Sequence, residues 1–184
     1  MKKLLLCAFL VMPTLFATAQ SKIIYEYNKF LHLKGTVYTV ATEESWSKMG
    51  NVNSNLLFIN TATGASTVVD FPPGGRVGHV EQIKIDSLKI NYVLVTANTV
   101  DIDNRKGIDW ADPRQLLLYT PSGEKLKQLT EDTFYVASYA VNETTGTLIV
   151  SGYFDVNRNQ KRDKTESGAM LLYDLTTLKM KQQL

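Results

Sequence analysis

The sequence predicts an all-β domain made of about three four-stranded antiparallel units, and three observations carry that prediction. A design recurs without a gap at a spacing of 54 residues: Asp101 to Gln128 aligns on Asp155 to Gln182 with eight identities over 28 positions. Asp101 meets Asp155, Asp109 meets Asp163, and Leu117-Leu118-Tyr119 meets Leu171-Leu172-Tyr173. Short runs rich in β-branched and aromatic residues alternate with turn signals along the chain. No segment holds a helical period over about 11 residues or more.

The first unit, about 22–72, opens with Ile23-Ile24-Tyr25-Glu26-Tyr27 and Gly35 to Val40, both rich in strand formers. Leu56-Leu57-Phe58-Ile59 is a buried-type run, Asn60 to Gly64 a turn, and Ser66 to Val69 the returning strand. Between them, Glu43 to Asn55 is expected to be a long loop, carrying Trp46, Gly50 and three asparagines. Phe71-Pro72-Pro73-Gly74-Gly75 is a strong breaker and separates the first unit from the second. The second unit, about 76–130, offers strands at Glu81 to Asp86, Asn91 to Thr96, Leu116 to Tyr119 and Lys125 to Leu129, the last two joined through Pro121-Ser122-Gly123. The third, about 134–184, repeats this with Tyr135 to Asn142, Gly146 to Ser151 and a pair of strands around Leu171-Leu172-Tyr173, turning through Leu175-Thr176-Thr177.

Two strands, a long loop and two more strands over about 50 residues fit a propeller blade. Closed propellers need about four or more blades. Three units therefore imply an open or partial array, pairing with a second chain, or a clipped end. The stretch Asp101-x-Asp103-x5-Asp109-x2-Asp112-Pro113, with Leu118-Tyr119 and Gln128-Leu129-Thr130, resembles the TolB-like or WD40-like (PD40-type) propeller repeats of exported bacterial proteins. That resemblance implies a single propeller-like domain over 20–184.

The long loops carry the chemistry. Counting from Asp155 as position 1, Asn157 is position 3, Asn159 position 5, Lys161 position 7, Asp163 position 9 and Glu166 position 12. An EF-hand loop supplies oxygens from these positions, with position 7 using its backbone carbonyl. Calcium wants six to eight oxygens, and three carboxylates, two amides and a carbonyl are suited to that demand. Position 6, where an EF-hand has glycine, is Gln160, and no helices flank the loop. The second unit repeats the order with Asp101, Asp103, Asp109 and Asp112, but Arg105 stands at position 5. A structural calcium ion is therefore expected in the third loop and a weaker one in the second. Arg158, Lys161, Arg162 and Lys164 are the competing way to compensate the third loop's acids.

Residues 1–19 read as a signal peptide. Lys2 and Lys3 form a basic start, Leu4 to Phe16 an apolar stretch, and Ala17-Thr18-Ala19 a cleavage signal. The run is too short for a transmembrane anchor and Pro13 interrupts it. Cys7 comes too early in the run to be a lipid-attachment cysteine. Cleavage leaves 18 basic and 18 acidic residues, so the charge balance points to neither nucleic acid nor a membrane surface. It also removes the single cysteine, so an exported chain without disulfides must hold its loops by other means, bound cations among them.

Catalytic constellations are thin. His32 and His79 sit in no metal-ligand spacing, and no G-x-S-x-G elbow is present. Gly74-Gly75-x-x-Gly78 lacks the Lys-Ser/Thr of a phosphate loop. Trp46 and Trp110 are expected to be buried as plugs over the unit ends. The leading functional reading is an exported, periplasmic or secreted, non-catalytic module that binds a protein or envelope component through its loops. The alternatives are a hydrolase or lyase using scattered acids such as Glu81 and Asp86, and a purely structural envelope domain.

Overall fold

The computed structural model describes residues 24–47, 50–105 and 107–184, with side chains at 26–44, 55–105 and 107–184. The leader expected at 1–19 lies outside the described residues, as does the side chain of Trp46. The strands are β1 (Ile24–His32), β2 (Tyr38–Ser47), β3 (Gly50–Asn60), β4 (Ser66–Asp70), β5 (Arg76–Ile85), β6 (Ile90–Asn98), β7 (Arg114–Tyr119), β8 (Lys125–Gln128), β9 (Phe134–Asn142), β10 (Thr147–Phe154), β11 (Gly168–Asp174) and β12 (Lys179–Gln183). Among the described residues the one helical element is a single 3-10 turn at Asp86–Leu88, and no helix is long and apolar enough to cross a membrane.

Hydrogen bonding sorts the strands, in chain order, into three four-stranded antiparallel sheets: β1 to β4, β5 to β8 and β9 to β12. These are three blades of a propeller-like array, and they do not close into a ring. Blade 2 is packed on both faces. Val93, Val95, Leu117 and Tyr119 face blade 1, where they meet Val40, Leu56 and Phe58. Leu94, Leu116 and Leu118 face the other way, onto Leu148, Val150, Leu171 and Tyr173 of blade 3. Side chains alternate across a strand, so a strand buried on both faces needs apolar residues at consecutive positions. That is why β6 and β7 each contain an unbroken apolar run, Tyr92 to Val95 and Leu116 to Tyr119. Each fully buried leucine or valine of these layers contributes about 1.5–3 kcal/mol.

Direct bonds also link the blades. Gln82 of β5 accepts from the Lys34 N–H at 2.7 Å and donates to the Lys34 carbonyl at 3.0 Å. The Lys127 ammonium donates to the Leu178 carbonyl at 2.6 Å. The turn after β7 reaches blade 1 through Gly123, whose φ is +92°. A Cβ there would stand 2.9 Å from the Phe58 ring, so glycine suits both the turn and the approach.

Two elements differ from the sequence expectation. The described residues of the segment Glu43 to Asn55 are not a loop. Glu43 to Ser47 end β2 and Gly50 to Asn55 begin β3, paired as Glu44↔Asn53, Ser45↔Val52 and Ser47↔Gly50. Gly35 to Val37, read as strand, form a turn in which Leu33 accepts from the Thr36 N–H and donates to the Tyr38 carbonyl. Gly35 there has a φ of +71°.

Candidate functional site

The β6–β7 loop (99–113) and the β10–β11 loop (155–167) lie at the same end of the array, and one carboxylate scaffold organises both. In blade 2, Asp112 accepts the Ile102 N–H on Oδ1 at 2.9 Å and the Asp109 N–H on Oδ2 at 2.7 Å. In blade 3, Glu166 accepts the Val156 N–H on Oε1 and the Asp163 N–H on Oε2, both at 2.9 Å. The donors are equivalent in the 54-residue repeat, Ile102 to Val156 and Asp109 to Asp163. The first acid of each loop behaves alike. Asp101 takes the N–H groups of Asn104 and Gly107, each at 2.9 Å. Asp155 takes those of Asn159 at 3.2 Å and Gln160 at 2.8 Å.

Asp155, Asp112 and Glu166 are all buried. A buried carboxylate without compensation is costly, and here backbone N–H groups compensate it. The expected competition between a cation and the loop's lysines and arginines thus omits the donors that do this in the structure. Asn157 and Asn159 converge on Asp163, donating from their amides to its Oδ2 at 2.7 and 3.0 Å. Lys161 uses its N–H toward Asn159 Oδ1 at 2.8 Å. Asp103 accepts from the Arg105 N–H at 3.0 Å, and Asp109 from the Ala111 N–H at 2.7 Å. Among the described residues, no group of three or more Asp, Glu, His or Cys side chains is arranged to hold a metal ion.

Several residues of this site carried no expectation. Gln160 occupies the position where an EF-hand has glycine, and it adopts a φ of +61°. Its amide crosses to blade 2 and donates to Asp112 Oδ1 at 3.0 Å. The departure from glycine at position 6 was the available signal. Tyr135 donates its hydroxyl to the Ala111 carbonyl at 2.8 Å and stacks on Tyr153 with centroids 5.0 Å apart. The Arg162 guanidinium lies 5.2 Å above the Tyr153 ring. Burial, and then the charge of Asp155, raises the Tyr135 hydroxyl pKa well above its usual value, with Tyr153, Asp112 and Asp109 adding to it. The stacked pair therefore stays protonated at neutral pH and lies beside both loops, touching Ala111 of one and Arg162 of the other.

Trp110 is not a plug: it is 79% exposed, and Val156 in the neighbouring loop is equally exposed. Each loop thus leaves one large apolar side chain exposed at this end of the array. The acids named for an enzyme are not brought together. Glu81 lies within β5 near His79, with Nε2 at 3.9 Å, and it accepts from the Tyr139 hydroxyl, whose pKa is raised by burial and then by Glu81. Asp86 lies five residues further along, about 16 Å by strand rise, and pairs with Lys84.

No protein-family model and no curated protein matches the sequence. Among solved structures, the chain is similar to one described as the Dos1 propeller, at 11% identity and a TM-score of 0.47. The match covers 89% of this chain and 47% of that one, so the chain spans about half the length of the propeller it resembles.

Proposed function

We propose that the chain is an exported, non-catalytic binding module of the TolB-like or WD40-like kind, which engages a protein or envelope component through the loop end of blades 2 and 3. One observation carries this reading: Trp110 and Val156 are held exposed on two loops that are cross-linked by Gln160 and Asp112, with Tyr135 bonded to Ala111 of the first. Pre-ordered loops lose little entropy on binding, which favours such a rim as a contact surface. Export is supported by Lys2, Lys3, the apolar run and Ala17-Thr18-Ala19. The non-catalytic reading draws on the separation of Glu81 from Asp86 and on the thin set of nucleophiles and bases.

Calcium belongs to the same reading as a structural ion. Each carboxylate oxygen has two lone pairs, and the oxygens of Asp155, Glu166 and Asp101 each accept one N–H bond, which leaves capacity for a cation; Asp163 Oδ2 and Asp112 Oδ1, with two donors each, would have to release one. Asp155, Asn157, Asn159, Asp163, Glu166 and the Lys161 carbonyl are the groups that would hold it, with Asp101, Asp103, Asp109 and Asp112 forming the weaker counterpart. Neutralising the acids would fix the loops that display the rim.

The test is a comparative pull-down from the native envelope using wild type, Trp110→Ala and the double variant Trp110→Ala/Val156→Ser. A partner retained by wild type and lost by both variants supports the rim. A partner retained equally by all three places binding elsewhere.

A further inference from the structure

The two end blades keep, on their outward faces, the apolar pattern that the internal blade contacts use. Register identifies the equivalent positions. Leu94 stands opposite Leu118 in blade 2, Val40 opposite Phe58 in blade 1, and Ile149 opposite Leu172 in blade 3. In blades 1 and 2 these pairs are packed against the next blade. In blade 3 the same positions face outward, and Met170, 46% exposed, continues the patch. The reverse holds at the other end of the array. Val95 and Leu117 of blade 2, like Val150 and Leu171 of blade 3, pack against the preceding blade. Their blade 1 counterparts, Ala41 and Leu57, are paired in the same way but lie on the outward side, where Ala41 is buried beneath its neighbours, Leu57 is half-buried, and Phe30 and Val68 are 65% and 50% exposed.

We propose that a second copy of this chain covers both faces, with blade 3 of each copy packed on blade 1 of the other. The outward face of blade 3 is a "next-blade" surface and that of blade 1 a "previous-blade" surface, so they are complementary to each other and not to themselves. Two copies of three blades give a ring of six, within the range of about four to eight blades in which propellers close. A head-to-tail contact that closes gives a finite two-fold assembly instead of a fibre.

Charge agrees with this pairing. At the loop end, the outward side of blade 3 carries Arg162, which lines a groove with Ser151, Met170 and Leu184. At the same end of blade 1, Glu43 and Asp70 flank Tyr27, whose hydroxyl pKa is raised by burial and then by these two carboxylates. A rotation about the ring axis keeps the loop end at the loop end, so Arg162 of one copy approaches the acids of the other.

Sedimentation velocity over a range of concentrations tests the proposal on the wild-type chain, Met170→Lys and Val68→Glu. Wild type is expected to sediment as a dimer. Each variant is expected to weaken dimerisation about 100-fold or more, because it buries an unpaired charge in a contact. Mixing the two variants restores one native contact and is expected to recover a heterodimer. Both side chains are exposed in the single chain, so far-UV circular dichroism should be unchanged, with Phe30→Glu as a second blade 1 variant. A wild-type monomer at every concentration overturns the proposal. So does a dimer sensitive to Met170→Lys alone or Val68→Glu alone, which is the signature of a face-to-face contact, or one sensitive to neither.

Discussion

Gln160 of blade 3 donates from its side-chain amide to Asp112 of blade 2 at 3.0 Å, so the two acidic loops form one unit. Asp112 is buried and also holds the Ile102 and Asp109 N–H groups. Removing its carboxylate leaves these donors unpaired, at about 1–3 kcal/mol for a buried one. Asp112→Ala is therefore expected to cost about 3 kcal/mol in urea unfolding, and Gln160→Ala about 1 kcal/mol. A double-mutant cycle should return a coupling of about 1 kcal/mol. Strictly additive losses would show that the bond between the loops contributes nothing.

Gly152 is a second point where the structure dictates one residue. A Cβ there would lie 2.1 Å from the Tyr135 carbonyl oxygen and 2.7 Å from the Phe134 ring, both held by the core of blade 3. Gly152→Ala is expected to destabilise by about 3 kcal/mol, at the upper end of overpacking costs. Gly64 is the contrast, with φ +78° and nothing within 4 Å of a Cβ. Gly64→Ala should cost only the backbone strain, about 1 kcal/mol. Equal midpoints in thermal melts of the two variants would contradict this ordering.

Much of this was legible in the sequence, for identifiable reasons. Recurrence of Asp101, Asp109 and Leu117-Leu118-Tyr119 at a fixed spacing exposed the blades and the loops, because a repeated carboxylate scaffold requires repeated acids. Burial on both faces made the apolar runs within β6 and β7 conspicuous. The polar residues of Glu43 to Asn55 resemble a loop, whereas cross-strand pairing sustains the ends of β2 and β3 despite them. The exposure of Trp110 is not legible, because an aromatic residue in a loop has no periodicity to show which way it faces. The roles of Gln160 and Tyr135 depend on contacts between blades, which spacing within one repeat does not encode.

Alkaline pH should unfold the protein through its tyrosines. Burial pushes the hydroxyl pKa of Tyr119 up to about 12, and burial with the charge of Glu131 does the same for Tyr173, above the ordinary tyrosine value of 10.0. Tyr135 and Tyr139 are raised further. A raised folded pKa means that the unfolded chain loses its phenolic protons first. The contribution is therefore whole below pH 10 and is lost as pH climbs toward the folded values. Each such tyrosine adds a slope of up to about 1.4 kcal/mol per pH unit. Stability measured by urea titration should be flat from neutral pH to about 9 and then fall steeply, with phenolate absorbance appearing at unfolding. Phenolate absorbance that grows in smoothly from about pH 10 while the chain stays folded would show that these hydroxyls are not protected.

Calcium is the prediction on which the loop chemistry turns. Asp155 and Glu166 are buried and already accept backbone N–H groups, so Asp155→Ala will destabilise the chain with or without metal. The diagnostic quantity is therefore the increment produced by calcium, not the stability of any one variant. At a hundredfold excess over its dissociation constant, a bound ion raises stability by roughly 2.7 kcal/mol. That increment should appear in wild type, vanish in Asp155→Ala and in Glu166→Ala, and survive largely intact in Asp101→Ala, where the counterpart loop carries Arg105 among its ligand positions. Asn157→Ala and Asn159→Ala supply a finer test. Their amides bind Asp163 in the structure, and they would have to turn their oxygens inward to serve as ligands, so each should reduce the increment while costing little in EDTA. Wild-type melting curves that coincide in EDTA and in millimolar calcium would assign the loop to backbone compensation alone and remove the ion from it.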